Sequence, residues 1–197
     1  MNTPIFKSVF GKKWDELPLV MKKHYANYPY SNDDYVVEGT LDVRCSGFIK
    51  WFSWIFWFLR AIPPHTENNV PVTVHFRSEK NTKFFHFDRT FNFKLRKPYR
   101  FHSKMIQLKD NKMVEVMKSG FGWKMYFLYE DGLVKLKHQG YVICVLGHYI
   151  PLPVTFLLGK GDAVEKAIDD DTFDMSVSIF HPLWGEIYGY KGRFKFK

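Results

Sequence analysis

Residues 122–137 read GWKMYFLYEDGLVKLK, and this stretch decides the fold. It holds two runs of aromatic and aliphatic residues separated by Glu130-Asp131-Gly132. An Asp-Gly pair between such runs is a strong signal for a β-hairpin, because the tight turn between antiparallel strands needs residues that accept positive φ. The stretch therefore predicts two antiparallel strands joined by a short turn.

The same alternation of strand and turn continues on both sides of this hairpin. Strand-like runs cover 35–44, 70–77, 82–91, 105–108, 113–117, 163–168, 173–180 and 187–196, and 140–158 is an apolar stretch broken by Gly147, Pro151 and Pro153. Closely spaced strands with turn residues between them are typical of a barrel, a half-barrel or a strongly curled sheet. We therefore expect a mainly β (α+β) fold, an antiparallel curled sheet or β-barrel-like domain.

The first residues of the chain have a different period. Trp14, Leu17, Val20, Met21 and Tyr25 recur near the spacing of a helix. We predict a helical arm over 4–27, followed by a β-rich body over 35–197, and expect residues 1–197 to form a single domain because the length suits one hydrophobic core.

An aromatic segment over 45–62 interrupts the strands. If it is helical, one face carries Phe48, Trp51, Phe52, Ile55, Leu59 and Ile62, and the other carries Lys50, Ser53, Trp54, Trp57 and Arg60. A helix at about 46–62 packed into the core and a helix lying at a membrane interface both fit this pattern. In the second case, Lys50, Trp54, Trp57 and Arg60 would face the membrane or a protein partner.

Composition limits the class of protein. The chain has 197 residues, 46% hydrophobic and 19% aromatic, which argues against disorder. Its net charge of +9 favours contact with the phosphates of anionic lipids or of nucleic acid. Nucleic acid is the less favoured partner, because the only signal for it is the composition of the basic and aromatic stretch 91–101. We expect a cytoplasmic protein without a secretory leader, with peripheral attachment to the inner membrane as the alternative. The sequence does not predict the oligomeric state.

Signatures of catalysis and of metal binding are missing from the sequence. The eight histidines do not fall at the spacing of a zinc site, and no phosphate-binding loop or nucleophile elbow occurs. We therefore expect no metal and no cofactor, and we favour a binding protein over an enzyme.

Charged residues inside apolar strands mark the candidate site. Arg89 and Glu115 each lie between strand-forming residues, so they either face solvent or point inward and need a partner or a ligand. An inward arginine suits a carboxylate or phosphate headgroup. We predict a binding module for an apolar or lipid-like small molecule. The predicted ligand-binding residues are Arg89, Glu115, Trp123 and His181. An enzyme acting on a hydrophobic substrate is the less favoured alternative, and it would need Arg89, Glu115 or His181 to converge.

Several short motifs along the chain point to a known family. They are Trp14-Asp15-Glu16-Leu17-Pro18, Gly39, the apolar segment ending at Pro63, Phe87-Asp88-Arg89-Thr90-Phe91, Glu115 with Gly120, Asp131-Gly132-Leu133, Phe173-Asp174-Met175-Ser176-Val177, His181-Pro182-Leu183-Trp184-Gly185 and Tyr190-Lys191-Gly192-Arg193-Phe194. In their order and spacing they resemble a bacterial family called domain of unknown function 4166 (DUF4166). The resemblance implies no catalytic residues, because the family has no established activity.

Overall fold

A computed structural model describes residues 3–47 and 62–197 of the chain, and most of these residues lie in antiparallel strands. The strands are β1 (Asp34–Cys45), β2 (Glu67–Arg77), β3 (Phe85–Phe91), β4 (Tyr99–Lys109), β5 (Lys112–Met117), β6 (Phe121–Glu130), β7 (Leu133–Val145), β8 (His148–Leu152), β9 (Lys160–Ala167), β10 (Thr172–His181) and β11 (Gly185–Phe196). The predicted β-rich fold is confirmed.

Ten of these strands close into a barrel. Each strand from β1 to β7 pairs with the next, β7 also pairs with β9, and β9, β10 and β11 follow in order before β11 pairs with β1. Strand β8 extends the sheet beyond the ring by pairing with the last residues of β7. The sheet predicted from the sequence is thus a closed antiparallel barrel.

The predicted hairpin joins β6 to β7. Glu130 pairs with Leu133, so Asp131 and Gly132 alone form the loop. Their φ values are 56° and 73°. Positive φ at both residues matches the twist of the flanking strands and explains why an Asp-Gly pair stands there.

The N-terminal arm is helical, as predicted, and it packs against the inside of one end of the barrel. It contains α1 (Lys7–Phe10), a 3₁₀ helix (Gly11–Trp14) and α2 (Leu19–His24). The ring of Phe6 is fully buried and lies 5.0 Å from the ring of Phe85 and 5.3 Å from that of Phe127. We call this end of the barrel the arm end.

The opposite end carries the connections after β3, β5, β7 and β10, together with α3 (Thr155–Leu158) between β8 and β9. We call it the loop end. It also receives the last residues of β1 and the first of β2, which flank residues 48–61. The predicted helix at about 46–62, with Lys50, Trp54, Trp57 and Arg60, lies almost entirely outside the described residues. Among the described residues no helix is long and apolar enough to cross a bilayer.

Two glycines allow β1 and β11 to approach. A Cβ atom on Gly39 would lie 2.0 Å from the carbonyl oxygen of Arg193, and one on Gly192 would lie 1.9 Å from that of Thr40. Both distances are far shorter than any non-bonded contact. The pairing that closes the ring therefore requires glycine at both positions.

We predict that Gly192→Ala lowers the free energy of unfolding by about 3 kcal/mol or more, because the backbone of β1 has to move to accept the methyl group. Urea unfolding followed by circular dichroism measures the loss. Gly161→Ala is the matched control, since its Cβ would meet only ordinary contacts at 3.7 Å. Equal stability of Gly192→Ala and the natural protein would contradict this account of ring closure.

Candidate ligand site in the barrel interior

A cavity of about 100 Å³ lies inside the barrel, between the N-terminal arm and the loop end. Its walls are mainly aromatic and methionine side chains, as in most small-molecule sites. The space is smaller than the roughly 300–1,000 Å³ typical of such sites, so a long acyl chain does not fit without movement of the walls. The apolar lining includes Phe85, Phe87, Phe91, Phe101, Phe121, Phe127, Met105, Met117 and Met175.

Strand alternation aims Arg89 and Glu115 into this cavity. In β3, Arg89 faces inward with Phe87 and Phe91, and in β5, Glu115 faces inward between two methionines. Both charged side chains are buried, and Arg89 Nη2 donates to Glu115 Oε1 at 2.8 Å. The hydroxyl of Ser103 donates to the same carboxylate oxygen at 2.5 Å. The two predicted charges are thus an ion pair inside the barrel.

Two further donor atoms of Arg89, Nε and Nη1, have no acceptor in the part of the chain that the structure describes. Its Cζ atom lies 3.5 Å from the ring centroid of Phe87 and 4.5 Å from that of Phe101, so aromatic rings contact the guanidinium through its π-face. The N–H bonds lie in the plane of the guanidinium, where these stacking contacts cannot accept them. Arg89 Nε and Nη1 are buried without an acceptor among the described residues.

A second polar cluster lies deeper, where the arm meets β9. Glu165 is buried, and its Oε2 accepts a hydrogen bond of 2.6 Å from the hydroxyl of Tyr25 and lies 3.7 Å from His24 Nδ1. Burial raises the pKa of Glu165 to about 7, although the Tyr25 hydrogen bond and the charge of Arg89 oppose the rise. Burial, with a smaller effect of Arg89, lowers the pKa of His24 to about 3. At neutral pH, His24 is therefore uncharged and Glu165 is near its midpoint.

Trp123 lines the cavity at a weaker part of the wall. Strands β7 and β9 pair only over Leu133–Leu136 and Ala163–Lys166, and beyond that point side chains connect them. Trp123 Nε1 donates to His138 Nδ1 at 2.9 Å, and the backbone N–H of His138 donates to a carboxylate oxygen of Asp162 at 2.9 Å. Because His138 Nδ1 accepts, the ring proton lies on Nε2, which faces the hydroxyl of Thr155 at 3.3 Å.

The structure brings three of the four predicted ligand residues to the cavity. Arg89, Glu115 and Trp123 line it, whereas His181 lies outside the lining at the end of β10. His181 Nε2 contacts the carbonyl oxygen of Phe156 at 2.8 Å, and His181 Nδ1 accepts from the backbone N–H of Leu183 at 3.1 Å. His181 therefore does not converge with Arg89 and Glu115, as the enzyme hypothesis would need if all three acted together.

Sequence reasoning missed His24, Tyr25 and Glu165 as polar members of the site. Tyr25 belongs to the helically spaced residues of the predicted arm, but its partner Glu165 is remote in sequence. Glu165 shares the inward face of β9 with Gly161 and Ala163, and small residues recurring at every second position are a signal of a crowded interior. A carboxylate in such a row could have been recognised as buried.

The fold and the site together define a closed antiparallel β-barrel that buries a charge cluster beside an apolar cavity. The chain belongs to the family described as domain of unknown function (DUF4166), whose model matches residues 17–194. This confirms the resemblance carried by the sequence motifs. No curated protein shows significant similarity to the chain.

The raised pKa of Glu165 predicts a pH-dependent stability. Between its ordinary pKa of 4.5 and its folded value of about 7, the folded state holds more protons than the unfolded state, so this group lowers stability as pH rises. The loss is about 3 kcal/mol over that window. His24 acts in the opposite sense, raising stability as pH rises from about 3 to 6.5.

We therefore expect Glu165→Gln to be more stable than the natural protein at pH 7.5 and to have little of that advantage at pH 4.5. Urea unfolding at both values measures the difference, and Glu130→Gln at an exposed position is the control. The same advantage at both pH values would show that Glu165 is not titrating in this window.

Because the ion pair is buried, we expect a single substitution to lower the free energy of unfolding more than the double substitution does. Arg89→Met leaves the Glu115 carboxylate buried without its cation, and we expect it to lower stability by about 3–5 kcal/mol. Replacing both residues with methionine removes both charges and should restore stability to within about 1 kcal/mol of the natural protein, or above it. Thermal and urea unfolding of the two variants measure the asymmetry, and equal losses would contradict it.

Proposed function

We propose that the barrel binds a small molecule with an apolar body and one acidic group, a carboxylate or a phosphate. The proposal rests on two buried donor atoms of Arg89, Nε and Nη1, which lie beside an apolar cavity and find no acceptor among residues 3–47 and 62–197. An unpaired buried donor is costly, and the cost is larger on a charged group. An anionic group of a ligand would supply the missing acceptors.

The charges around Arg89 favour an anion over a cation. Glu115 neutralises one unit of charge through a single nitrogen, Nη2, and leaves the rest of the guanidinium available. His24 is uncharged because its pKa is lowered to about 3, so it adds no charge of either sign to the site. Glu165, whose pKa is about 7, can take up a proton and so avoid repelling the ligand.

The walls favour an apolar body of limited size. A dry cavity of about 150 Å³ is enough to bind benzene, and the cavity here has about 100 Å³. Methionine side chains rearrange more readily than branched or aromatic ones, and Met105, Met117 and Met175 all line the space. We therefore expect acids whose apolar body is the size of benzene or larger to bind by displacing these methionines.

Native mass spectrometry of freshly purified protein, followed by denaturing extraction, is the first experiment. A discrete added mass that extracts as an apolar acid supports the proposal and identifies the ligand class. An added mass that extracts as a neutral or cationic compound contradicts the role given to Arg89.

Paired ligands test the role of Arg89 directly. We expect isothermal titration calorimetry to show octanoate binding more tightly than 1-octanol by about tenfold to a hundredfold, the usual strength of a hydrogen bond to a charged group. The double variant with Arg89→Met and Glu115→Met should bind the acid and the alcohol equally. Its cavity wall stays apolar, but it lacks the guanidinium that binds the anion.

Glu115→Gln is the matched variant that keeps Arg89. Its amide oxygen can still accept from Arg89 and Ser103, but the neutralising charge is lost. The affinity for octanoate should therefore rise while that for 1-octanol stays unchanged. A preference for the acid that survives in the double variant, or no binding of any tested acid, would overturn the proposal.

A further inference from the structure

Four large apolar side chains stand almost fully in solvent at the loop end. Leu95, Leu146, Leu183 and Phe156 are exposed by 96%, 95%, 80% and 75%. They lie in four different connections, after β3, β7 and β10 and within α3. Strand direction places all these connections at the end of the barrel opposite the arm. Four connections at one end of the barrel thus expose large apolar side chains, which we call the apolar tips.

The loop end is also strongly basic. Its exposed bases form no ion pair with any residue in the described parts of the chain, and the nearby acids include Glu67, Glu186 and Asp162, of which Asp162 pairs with Lys137 from the middle of β7. At the arm end Lys13 pairs with Glu16 and Lys135 with Asp131, although Lys80, Lys83 and Lys109 there also form no ion pair among the described residues. The unpaired bases of the loop end are Lys94, Arg96, Lys97, Arg100, Lys118 and Lys160.

Two turns with similar backbone conformation, one at each end of the barrel, differ in the side chain that they expose. At the arm end, Asp131-Gly132 has φ values of 56° and 73°, and at the loop end Leu146-Gly147 has 49° and 81°. Positive φ suits Asp, Asn and Gly, and it is unfavourable for a bulky side chain such as leucine. The loop-end turn therefore places a leucine at a strained and solvent-exposed position where a polar residue would fit better, which points to an apolar environment for that side chain.

Hydrogen bonds hold two of the tips together. His181 Nε2 donates to the carbonyl of Phe156, because His181 Nδ1 already accepts from the N–H of Leu183. The ring of Trp184, half exposed, stacks on His181 with centroids 4.1 Å apart. These contacts of His181 hold α3 and the β10–β11 turn together, so that their apolar side chains lie on the same side of the barrel.

We propose that the loop end docks on the surface of an anionic lipid bilayer. Apolar tips that insert among the headgroups, combined with unpaired lysines and arginines that meet anionic lipids, are the two contributions to interfacial binding. Tryptophan beside them suits the interface. A protein partner fits less well, because protein interfaces are depleted of lysine at their core. The docking is independent of the ligand proposed for the cavity.

Vesicle co-sedimentation tests the proposal with the full chain. We expect binding to vesicles of phosphatidylcholine with phosphatidylglycerol, weakening at high salt, and little binding to phosphatidylcholine alone. Removing three charges by Lys94→Gln, Arg96→Gln and Lys97→Gln should weaken binding by about 100-fold, from about 1 kcal/mol per basic residue. The matched control removes three exposed lysines of the arm end, Lys80, Lys83 and Lys109, by the same change and should leave binding intact.

Leu146→Asn separates docking from folding. Asparagine accepts positive φ, so the variant should unfold at the same or a higher urea concentration than the natural protein. Loss of one inserted leucine should still weaken vesicle binding about tenfold. The same substitution at exposed Ile168, at the arm end, is the control for the loss of an apolar surface group.

Three results would overturn the proposal. They are no binding to anionic vesicles, equal loss of binding in the loop-end and arm-end triple variants, and a concentration-dependent dimer in analytical ultracentrifugation that Leu146→Asn or Leu183→Ser abolishes. The last would assign the apolar tips to a second copy of the chain. Vesicle binding that persists in the Arg89 and Glu115 double variant would show that docking and ligand binding are separate properties.

Discussion

Closure of the ring between β1 and β11 is the constraint on which the other features depend. Val37–Cys45 pair in register with Tyr188–Phe196, and this approach is possible because Gly39 and Gly192 put no side chain between the two backbones. A closed ring has no free edges that could pair with another chain. It also has an interior cut off from water, so each polar group placed there needs a partner within the molecule or from a ligand. Ten strands enclose more space than the eight that side chains just fill, which is why the arm packs inside and a cavity still remains.

The polar groups inside this ring act on one another because little water screens them. The charge of Arg89 helps to lower the pKa of His24 and opposes the rise in the pKa of Glu165, although burial is the larger cause in both. Glu115 balances Arg89 but uses one nitrogen of the guanidinium, and the phenylalanine rings that contact its π-face leave its edge unpaired. A purely structural ion pair would be expected to satisfy its buried donors. Among the described residues, the two donors of Arg89 without an acceptor belong to the most strongly polar side chain of the cavity, and a core alone does not explain them.

Much of the fold could be predicted from the sequence, because its signals are local. Asp131-Gly132 fixed one hairpin, and alternation located most of the other strands. Alternation could not show which face of a strand points inward, since apolar residues occur on both faces: Phe85 faces the interior, whereas neighbouring Phe84 packs on a small external cluster with Val114 and Val142. For the same reason the orientation of Arg89 and Glu115 stayed open. The contacts of Tyr25 with Glu165, and of Trp123 with His138, join segments that only ring closure brings together.

The two ends of the barrel differ in charge, although the hairpins that form them follow the same backbone rules. Acidic residues collect at the arm end, where Asp131 and the run Asp169-Asp170-Asp171 form turns and accept bonds from Lys135 and Lys23. The exposed bases of the loop end, among them Lys94, Arg96 and Lys97, form no ion pair with the described residues. The arm end is of mixed charge, because its acids stand among lysines that include Lys80, Lys83 and Lys109, whereas the exposed charges of the loop end are mainly positive. A charge distribution of this kind orients a protein before contact, so that an anionic surface attracts the loop end first. In the docking that we propose, the apolar tips at that end would be the first groups to reach the bilayer, where lipid contact offers them the burial that the barrel core does not.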